Sequence, residues 1–269
     1  MPELRALAEQ LLGGPTLADK LRRFPPGWTD DAPGEPTRVD GPARCEALRI
    51  RGSREVKVPP VAGMADPAQR ARILHALANH ELQAAELFAW AILAFADAPR
   101  PFRRGLAAIL GDEQRHLSLY LGRMEALGTA LGDHGLTGHF WNKVDAVRTP
   151  LDFVCTMGLT FENANLDFAL DYARAAEAAG DRATAEVLAR VHEDEIGHVR
   201  FAWTWLDKLR PADRSPWQTY LDTVEWPLGP GRARGRALDE DSRRRAGLDD
   251  EFLAGLAQAA PKRPSGEPR

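Results

Sequence analysis

Residues 112–116 read DEQRH and residues 194–198 read DEIGH, so two distant stretches of the chain share the pattern Asp-Glu-x-x-His. Side chains three residues apart project from the same face of an α-helix, and each stretch can therefore offer a carboxylate and an imidazole to one metal ion. A single stretch of this kind is common by chance. Two such stretches, each within a long helical pattern, predict two metal-binding helices in an all-α protein.

The helix that carries DEQRH belongs to a predicted helical hairpin. An Asp-Pro pair at residues 66–67 is a start signal for a helix, and apolar residues then recur at three- and four-residue steps as far as Phe95. Glu81 lies inside this apolar stripe. After a short break at residues 97–101, the second helix runs to about Gly128. Because the break is short, we expect the two helices to be antiparallel neighbours.

A second hairpin follows the same plan. Residues 149–150 repeat the cap-and-proline signal, and the sequence predicts one helix to about residue 179 and another, after a break at residues 180–181, to about residue 210. The segment 128–149 has no sustained period and serves as a long connection. Two hairpins joined by one long crossover form the connectivity of ferritin-like four-helix bundles. We therefore predict an all-α fold of this kind.

Glutamates on the two remaining helices match the Glu-x-x-His pairs in height. Glu81 precedes Glu113 by 32 residues and Glu162 precedes Glu195 by 33, so each glutamate lies level with the pair on its neighbouring helix. The offsets between the two halves agree too, at 81 residues from Glu81 to Glu162 and 82 from Glu113 to Glu195. The sequence therefore contains an internal pseudo-repeat of a helical hairpin.

These residues give the chain a resemblance to the ferritin-like di-iron carboxylate superfamily, and within it to a bacterial branch catalogued as domain of unknown function 455. The resemblance covers roughly residues 66–210. It implies that Asp112 orients His198 and that Asp194 orients His116, as residues that hydrogen-bond metal ligands commonly do. It also implies a set of six metal ligands: Glu81, Glu113, His116, Glu162, Glu195 and His198.

The charge of these ligands supports the assignment independently. Four carboxylates inside a bundle repel one another and are costly to bury, whereas two divalent ions supply the four positive charges that balance them. Carboxylate and imidazole ligands suit iron or manganese. We expect two iron ions, with a mixed manganese and iron site as the alternative, and no catalytic residues beyond the metal ligands.

Three residues near the ligands keep two interpretations each. Tyr120 follows His116 by four residues, the place of the radical tyrosine in small subunits of ribonucleotide reductase, yet a packed tyrosine is the favoured interpretation. Asn165 lies one turn beyond Glu162 and is either part of the metal cavity or a core amide. Cys155 either lines the same cavity or is a small buried apolar residue.

Other polar residues are expected to lie outside the site. Glu86 and Asp167 are each five positions past a predicted ligand, about 140° around the helix, and are interpreted as flanking or surface residues. His80 and His192 point away from the ligand face. The arginine run at residues 243–245 is offset by nearby acids and predicts a solvated surface.

The predicted bundle at residues 66–210 has an appendage at each end. Residues 1–65 are expected to form an irregular arm that wraps a core, with one short helix and a hairpin around Gly52-Ser53. Residues 211–260 are expected to form a helical extension that includes a short helix from Pro216 to Trp226. Residues 261–269 are expected to be a disordered tail.

Composition narrows the class of protein and its surroundings. With 44% hydrophobic and 28% charged residues, the chain has the composition of a soluble globular protein. It carries 39 acidic and 35 basic residues, a formal charge of −4, which argues against a nucleic-acid partner. Cys45 and Cys155 are expected to be free thiols in a reducing compartment. The sequence has no signal-peptide pattern and no long apolar run, so we predict a cytoplasmic protein without a membrane partner.

The predicted site allows several functions. The first hypothesis is an O2-dependent oxidoreductase that acts on a small organic substrate, with an electron donor of unassigned identity. The alternatives are an iron-binding ferroxidase or storage protein, a hydroxylase that acts on tRNA, and a metal-free bundle. The appendages favour the enzyme, because they are awkward inside a closed storage shell and natural for covering a substrate pocket or forming a homodimer.

Overall fold

The computed structural model describes residues 1–52, 55–224 and 227–261. The chain is mostly helical, at 65%, and the described residues contain ten α-helices and one small two-stranded sheet. The predicted all-α fold class is therefore confirmed. The chain forms two compact units: a first unit of Met1–Asp145 and Ala175–Val187, and a second unit of Ala146–Arg174 and Leu188–Arg269.

The first unit begins with an irregular arm. Helix α1 spans Leu4–Gly13, and the single turn α2 spans Leu17–Lys20, where Thr16 and Asp19 form a capping box. Strand β1, Ile50–Arg51, pairs in parallel with β2, Leu136–Thr137. The arm hairpin predicted around Gly52-Ser53 has its turn outside the described residues, and β1 pairs with a distant segment of the chain instead.

The first hairpin consists of α3, Pro67–Ala94, and α4, Arg100–Ala126. The side chain of Asp66 accepts a hydrogen bond of 2.8 Å from the backbone N–H of Gln69, so this residue caps α3 as the sequence predicts. The two helices pack against each other along their length. The prediction of a helical hairpin between residues 66 and 128 is therefore confirmed.

Helix α3 is more deeply buried than a single apolar stripe predicts. Residues 81–94 are all buried, whereas a single apolar stripe covers only one face of a helix. The arm explains the difference, because it lies over the outer face of α3. The indole of Trp90 donates a hydrogen bond to the carbonyl of Val39, and the amide of Thr37 donates one to the carbonyl of Leu93.

The second hairpin starts with a helix that changes its hydrogen-bonding pattern. Helix α5, Pro150–Phe153, begins at a capping box made by Thr149 and Asp152. The chain then continues as a π-helix over Val154–Glu162 and as α6 over Asn163–Ala178. Helix α7 spans Arg182–Leu209. The two predicted helices are therefore present, but the π-helical segment is a feature that the sequence pattern did not predict.

The turn between α6 and α7 belongs to the first unit. Asp181 caps α7 by accepting a hydrogen bond from the amide of Thr184, at 3.1 Å. Its carboxylate also accepts hydrogen bonds of 2.7 Å from Arg70 on α3 and 3.1 Å from Arg123 on α4. One side chain therefore joins the turn to both helices of the first hairpin. The ferritin-like arrangement of the two hairpins stays a prediction.

The second unit ends in a helical extension. Helices α8, α9 and α10 span Pro216–Thr223, Glu240–Ala246 and Asp250–Gln258. Phe252 of α10 packs edge-on against Trp203 of α7, with ring centroids 5.5 Å apart, and against Trp217 of α8 at 5.1 Å. Residues 225–226 of the predicted helix, and residues 262–269 of the disordered tail predicted at residues 261–269, lie outside the described residues. Among the described helices, none is both long and apolar enough to cross a membrane.

Candidate metal centre

The first unit brings three of the predicted ligands together in what we call the first trio, Glu81, Glu113 and His116. Glu81 projects from α3, and the other two project from one face of α4. The Nδ1 atom of His116 lies 3.4 Å from Glu81 Oε2 and 3.9 Å from Glu113 Oε2. No side chain of the trio is more than 5% exposed. The trio is therefore a buried cluster of one imidazole and two carboxylates.

Burial and charge strongly perturb the first trio. Loss of solvent and the nearby carboxylate of Glu113 raise the pKa of Glu81 well above its ordinary value. Burial alone would lower the pKa of His116, but its contacts with Glu113 and Glu81 outweigh that effect and raise the pKa to about 11. In the metal-free protein a proton on His116 therefore supplies positive charge to the trio. A metal ion bonded to Nδ1 would take over that role.

The second unit contains an equivalent second trio, Glu162, Glu195 and His198. Glu162 is the last residue of the π-helical segment, and Glu195 and His198 lie three residues apart on α7. The Nδ1 atom of His198 lies 3.3 Å from Glu195 Oε2 and 3.9 Å from Glu162 Oε1. All three side chains are buried. Asn165 joins this trio, because its amide donates a hydrogen bond of 2.9 Å to Glu195 Oε1.

The distances within each trio fit a metal ion. Two atoms bonded to one ion at about 2.1 Å lie about 3.0 Å apart at a right angle and about 4.2 Å apart when they are opposite. The four imidazole-to-carboxylate distances, 3.3 to 3.9 Å, fall inside that interval. In each trio, one candidate ligand atom per residue lies within 4.8 Å of the others. The donor atoms are oxygens and imidazole nitrogens, which suit iron and manganese.

The π-helical segment sets the approach of Glu162 to α7. A Cβ atom added to Gly158 would lie only 2.2 Å from the Cβ of Ala202, so glycine is needed for this close contact between the segment and α7. Gly158 therefore has a packing role between the π-helical segment and α7. π-Helical turns occur frequently at functional sites. Because the π pattern shifts hydrogen bonds by one residue, a periodicity of 3.6 residues does not reveal it.

The remaining predicted site residues take different places. Asp112 and Asp194 accept hydrogen bonds within their own helices, of 2.7 Å from Arg115 and 3.1 Å from Arg190. Their proposed bonds to the two histidines stay predictions. Tyr120 is buried on α4, one turn beyond the first trio.

Cys155 lies in the π-helical segment, where its thiol meets Thr223 of α8. Burial raises the pKa of this thiol far above its ordinary value, so it stays protonated. Cys45 is half-buried, and both cysteines are free thiols as predicted. Cys155 therefore offers no thiolate ligand at neutral pH.

Two acidic residues that were interpreted as flanking or surface residues are fully buried. Glu86, on α3, contacts Lys20, Arg44 and Trp141 of the same unit, at distances of 2.7 to 3.2 Å. Asp167, on α6, forms a two-pronged ion pair with Arg243 of α9, at 2.7 and 3.0 Å. The surface interpretation of both acids is therefore wrong, because each is buried in an ion pair.

Arg243 also corrects the prediction of a solvated arginine run, because its side chain is completely buried whereas Arg244 is exposed. Spacing along the chain cannot show which arginine of a run finds a buried acid.

His192, beside the second trio in sequence, contacts Asp239 and Ser242 at 3.3 and 3.2 Å. His80 packs its ring against His139 and Phe140, away from the first trio. Both histidines lie off the ligand face, as the sequence predicts.

The fold and the two trios define an all-α protein with candidate carboxylate and histidine metal sites. The family described as "Protein of unknown function (DUF455)" matches residues 14–254, so the chain belongs to this family. The predicted resemblance to the domain of unknown function 455 branch is therefore confirmed. No curated protein and no solved structure matches the chain. Membership of the ferritin-like superfamily stays a prediction.

Proposed function

We propose that each trio holds one metal ion and that the protein is a non-haem di-iron oxidoreductase, with mixed manganese and iron as the alternative metal content. One observation carries this proposal: two buried sets of two carboxylates and one imidazole recur on equivalent helices. Burying four carboxylates without compensating charge costs far more than a typical protein can tolerate. Two divalent ions would neutralise them. A simple packing role gives no reason for this donor set.

The chain's own residues would bind the ions and keep the site dry. The two Nδ1 atoms and the carboxylates of both trios would be the ligands, and their burial would exclude bulk water. Asn165 would hold Glu195 in a fixed orientation through its hydrogen bond of 2.9 Å. When bound, two iron ions supply the reduction of O2 that is coupled to oxidation of a small organic substrate.

Iron storage is the second candidate, because the same six ligands would suit a ferroxidase. The anchoring of the appendages favours an enzyme. Lys20 and Arg44 tie the arm to α3 through Glu86, and Arg243 ties the extension to α6 through Asp167. Both appendages are therefore integral parts of their units. They would cover a substrate site or form a homodimer more readily than they would fit the wall of a closed shell.

We place the protein in the cytoplasm, since free cysteines are typical of a reducing compartment. O2 and a small molecule are the proposed partners, with the electron donor left unassigned. The formal charge of −4 gives no support to the tRNA-modifying alternative.

Metal analysis tests the proposed function directly. Protein purified from iron-supplemented cells is expected to hold two iron ions per chain, and Glu162→Ala is expected to lower that number. The matched control is Glu186→Ala, an exposed residue of α7 that pairs with Arg182. O2 consumption by the reduced wild-type protein then tests the oxidoreductase function. The size of the protein particle in solution tests the storage alternative, which requires a many-subunit shell. Wild-type protein without stoichiometric metal would refute the proposal.

A further inference from the structure

We propose that Tyr220 and Arg243, from the C-terminal extension, are positioning residues that hold Glu162 in place by bracing the π-helical segment, a role that rests on the proposed metal-binding function. Both side chains are completely buried. They contact the backbone or side chains of residues on either side of Glu162. The extension therefore takes part in building the second trio as well as covering its unit.

One brace acts two residues before Glu162. The hydroxyl of Thr160 donates a hydrogen bond of 2.8 Å to the carbonyl of Cys155. Its own oxygen lies 2.9 Å from the hydroxyl of Tyr220. Because the single proton of Thr160 is used on the carbonyl, Tyr220 is the donor in this second bond. Tyr220 therefore fixes the rotamer that keeps Thr160 on the π-helical backbone.

The other brace acts one residue after Glu162. The Nη2 atom of Arg243 donates a hydrogen bond of 2.8 Å to the carbonyl of Asn163, while the guanidinium pairs with both carboxylate oxygens of Asp167. The side-chain amide of Asn163 in turn donates to the carbonyl of Leu159, at 3.2 Å. Arg243 thus holds the first turn of α6, and Asn163 connects that turn to the π-helical segment.

These braces compensate for a backbone that is intrinsically unfavourable. π-Helical hydrogen bonding is rare because it gains less per residue than the α pattern, and it persists where other contacts support it. Here the side chains of Thr160 and Asn163 bond to carbonyls within the segment, and the extension holds both residues. Without this support the segment would relax toward α-helical bonding. The carboxylate of Glu162, at the junction, would then rotate relative to His198.

The deciding variant is Tyr220→Phe, which removes one hydroxyl and leaves no buried charge without a partner. Arg243→Met tests the other brace, and Arg244→Met, an exposed neighbour that pairs with Asp250, is its matched control. Each change is made in two backgrounds. Glu81→Ala disables the first trio and leaves the second trio to bind metal, whereas Glu162→Ala does the reverse.

Equilibrium dialysis with Mn²⁺ measures the affinity of the trio that remains. In the Glu81→Ala background, Tyr220→Phe and Arg243→Met are expected to weaken binding by about 10-fold or more, as loss of a residue that orients a ligand does. In the Glu162→Ala background, both are expected to leave binding within about twofold. Equal weakening in both backgrounds, or none in either, would overturn the positioning role.

Amide hydrogen exchange gives a reading that needs no metal. Residues 154–163 are expected to exchange at least about tenfold faster in Tyr220→Phe than in wild-type protein, while α3 is unchanged. Unchanged protection of this segment would also overturn the brace. Failure of the proposed function is distinguishable, because wild-type protein would then bind no Mn²⁺. If wild-type protein binds two ions and both variants keep the wild-type affinity, the positioning role is wrong while the proposed metal-binding function stands.

Discussion

Glu86→Gln is expected to be among the most destabilising single changes outside the two trios. The side chain is completely buried, and each carboxylate oxygen accepts two contacts. Lys20 Nζ and Arg44 Nε approach Oε1 at 3.2 and 3.1 Å, whereas Arg44 Nη2 and Trp141 Nε1 approach Oε2 at 2.7 and 3.0 Å. All four atoms are donors. An amide group in either orientation would therefore point its own N–H groups at two of them.

The size of the effect follows from these contacts. Two buried cations lose the carboxylate that compensates them, which typically costs about 3–5 kcal/mol. At about 2 °C per kcal/mol for a chain of this size, the melting temperature falls by about 6–10 °C. Burial lowers the pKa of Lys20, and Glu86 opposes that shift, so the pKa falls further in the variant. The unfolded chain then binds more protons, and part of the lost stability returns as the pH rises toward the ordinary pKa of lysine.

Urea denaturation at two pH values measures both effects. Glu9→Gln is the matched control, since Glu9 is half-exposed and pairs with Arg5 within one helix. That change is expected to cost less than about 0.5 kcal/mol. If Glu86→Gln has the same urea midpoint as wild-type protein, the buried ion cluster does not stabilise the fold and the reasoning fails.

Two further substitutions and one labelling experiment test other parts of the structure. Asp181→Asn is expected to lower the free energy of unfolding at neutral pH by about 1–2 kcal/mol, after allowance for solvent screening. Hydrogen bonds and arginines lower the pKa of Asp181 from 3.8 to about 2, so its contribution to stability disappears as the pH falls from about 4 to about 2. Urea midpoints measured across this pH range will show the loss. Gly158→Ala forces a Cβ against Ala202 and costs about 1–3 kcal/mol by thermal denaturation. A thiol reagent labels Cys45 in the folded protein and Cys155 only after unfolding, which mass spectrometry detects. Equal labelling of both thiols would contradict the burial of Cys155.

The long helices and the composition of each trio were predictable because their signals are local. Asp66 and Thr149 begin helices with side-chain caps that depend on residues three positions away. Glu113 and His116, like Glu195 and His198, share a face because of helical geometry alone. Glu81 and Glu162 each lie at the same height as the Glu-x-x-His pair on the neighbouring helix, because the two hairpins have nearly equal lengths. Each of these inferences needs only short-range spacing and a count of residues.

The buried ion pairs and the π-helical segment were not predictable by the same means. Arg44 meets Glu86 across 42 residues, and Arg243 meets Asp167 across 76. Helical position placed both acids off the ligand face correctly, but no local pattern showed that an appendage would cover that face. In the π-helical segment, each backbone hydrogen bond reaches one residue further along the chain than in an α-helix. This change leaves the content of apolar residues the same, so the sequence pattern does not show it. A signal was present in Gly158, whose missing side chain marks close helix packing.

Each of the two appendages supplies positive charge to one buried carboxylate. Glu86 and Asp167 occupy equivalent positions of the pseudo-repeat, five residues past Glu81 and Glu162, and both are buried. A buried carboxylate at that position requires a cation and a cover. The arm supplies both in the first unit through Lys20 and Arg44, and the extension does so in the second unit through Arg243. The family match at residues 14–254 contains all three cations and reaches well beyond the two hairpins on either side. Both appendages are therefore part of the fold, because each supplies the cations that pair with the buried acid of its unit.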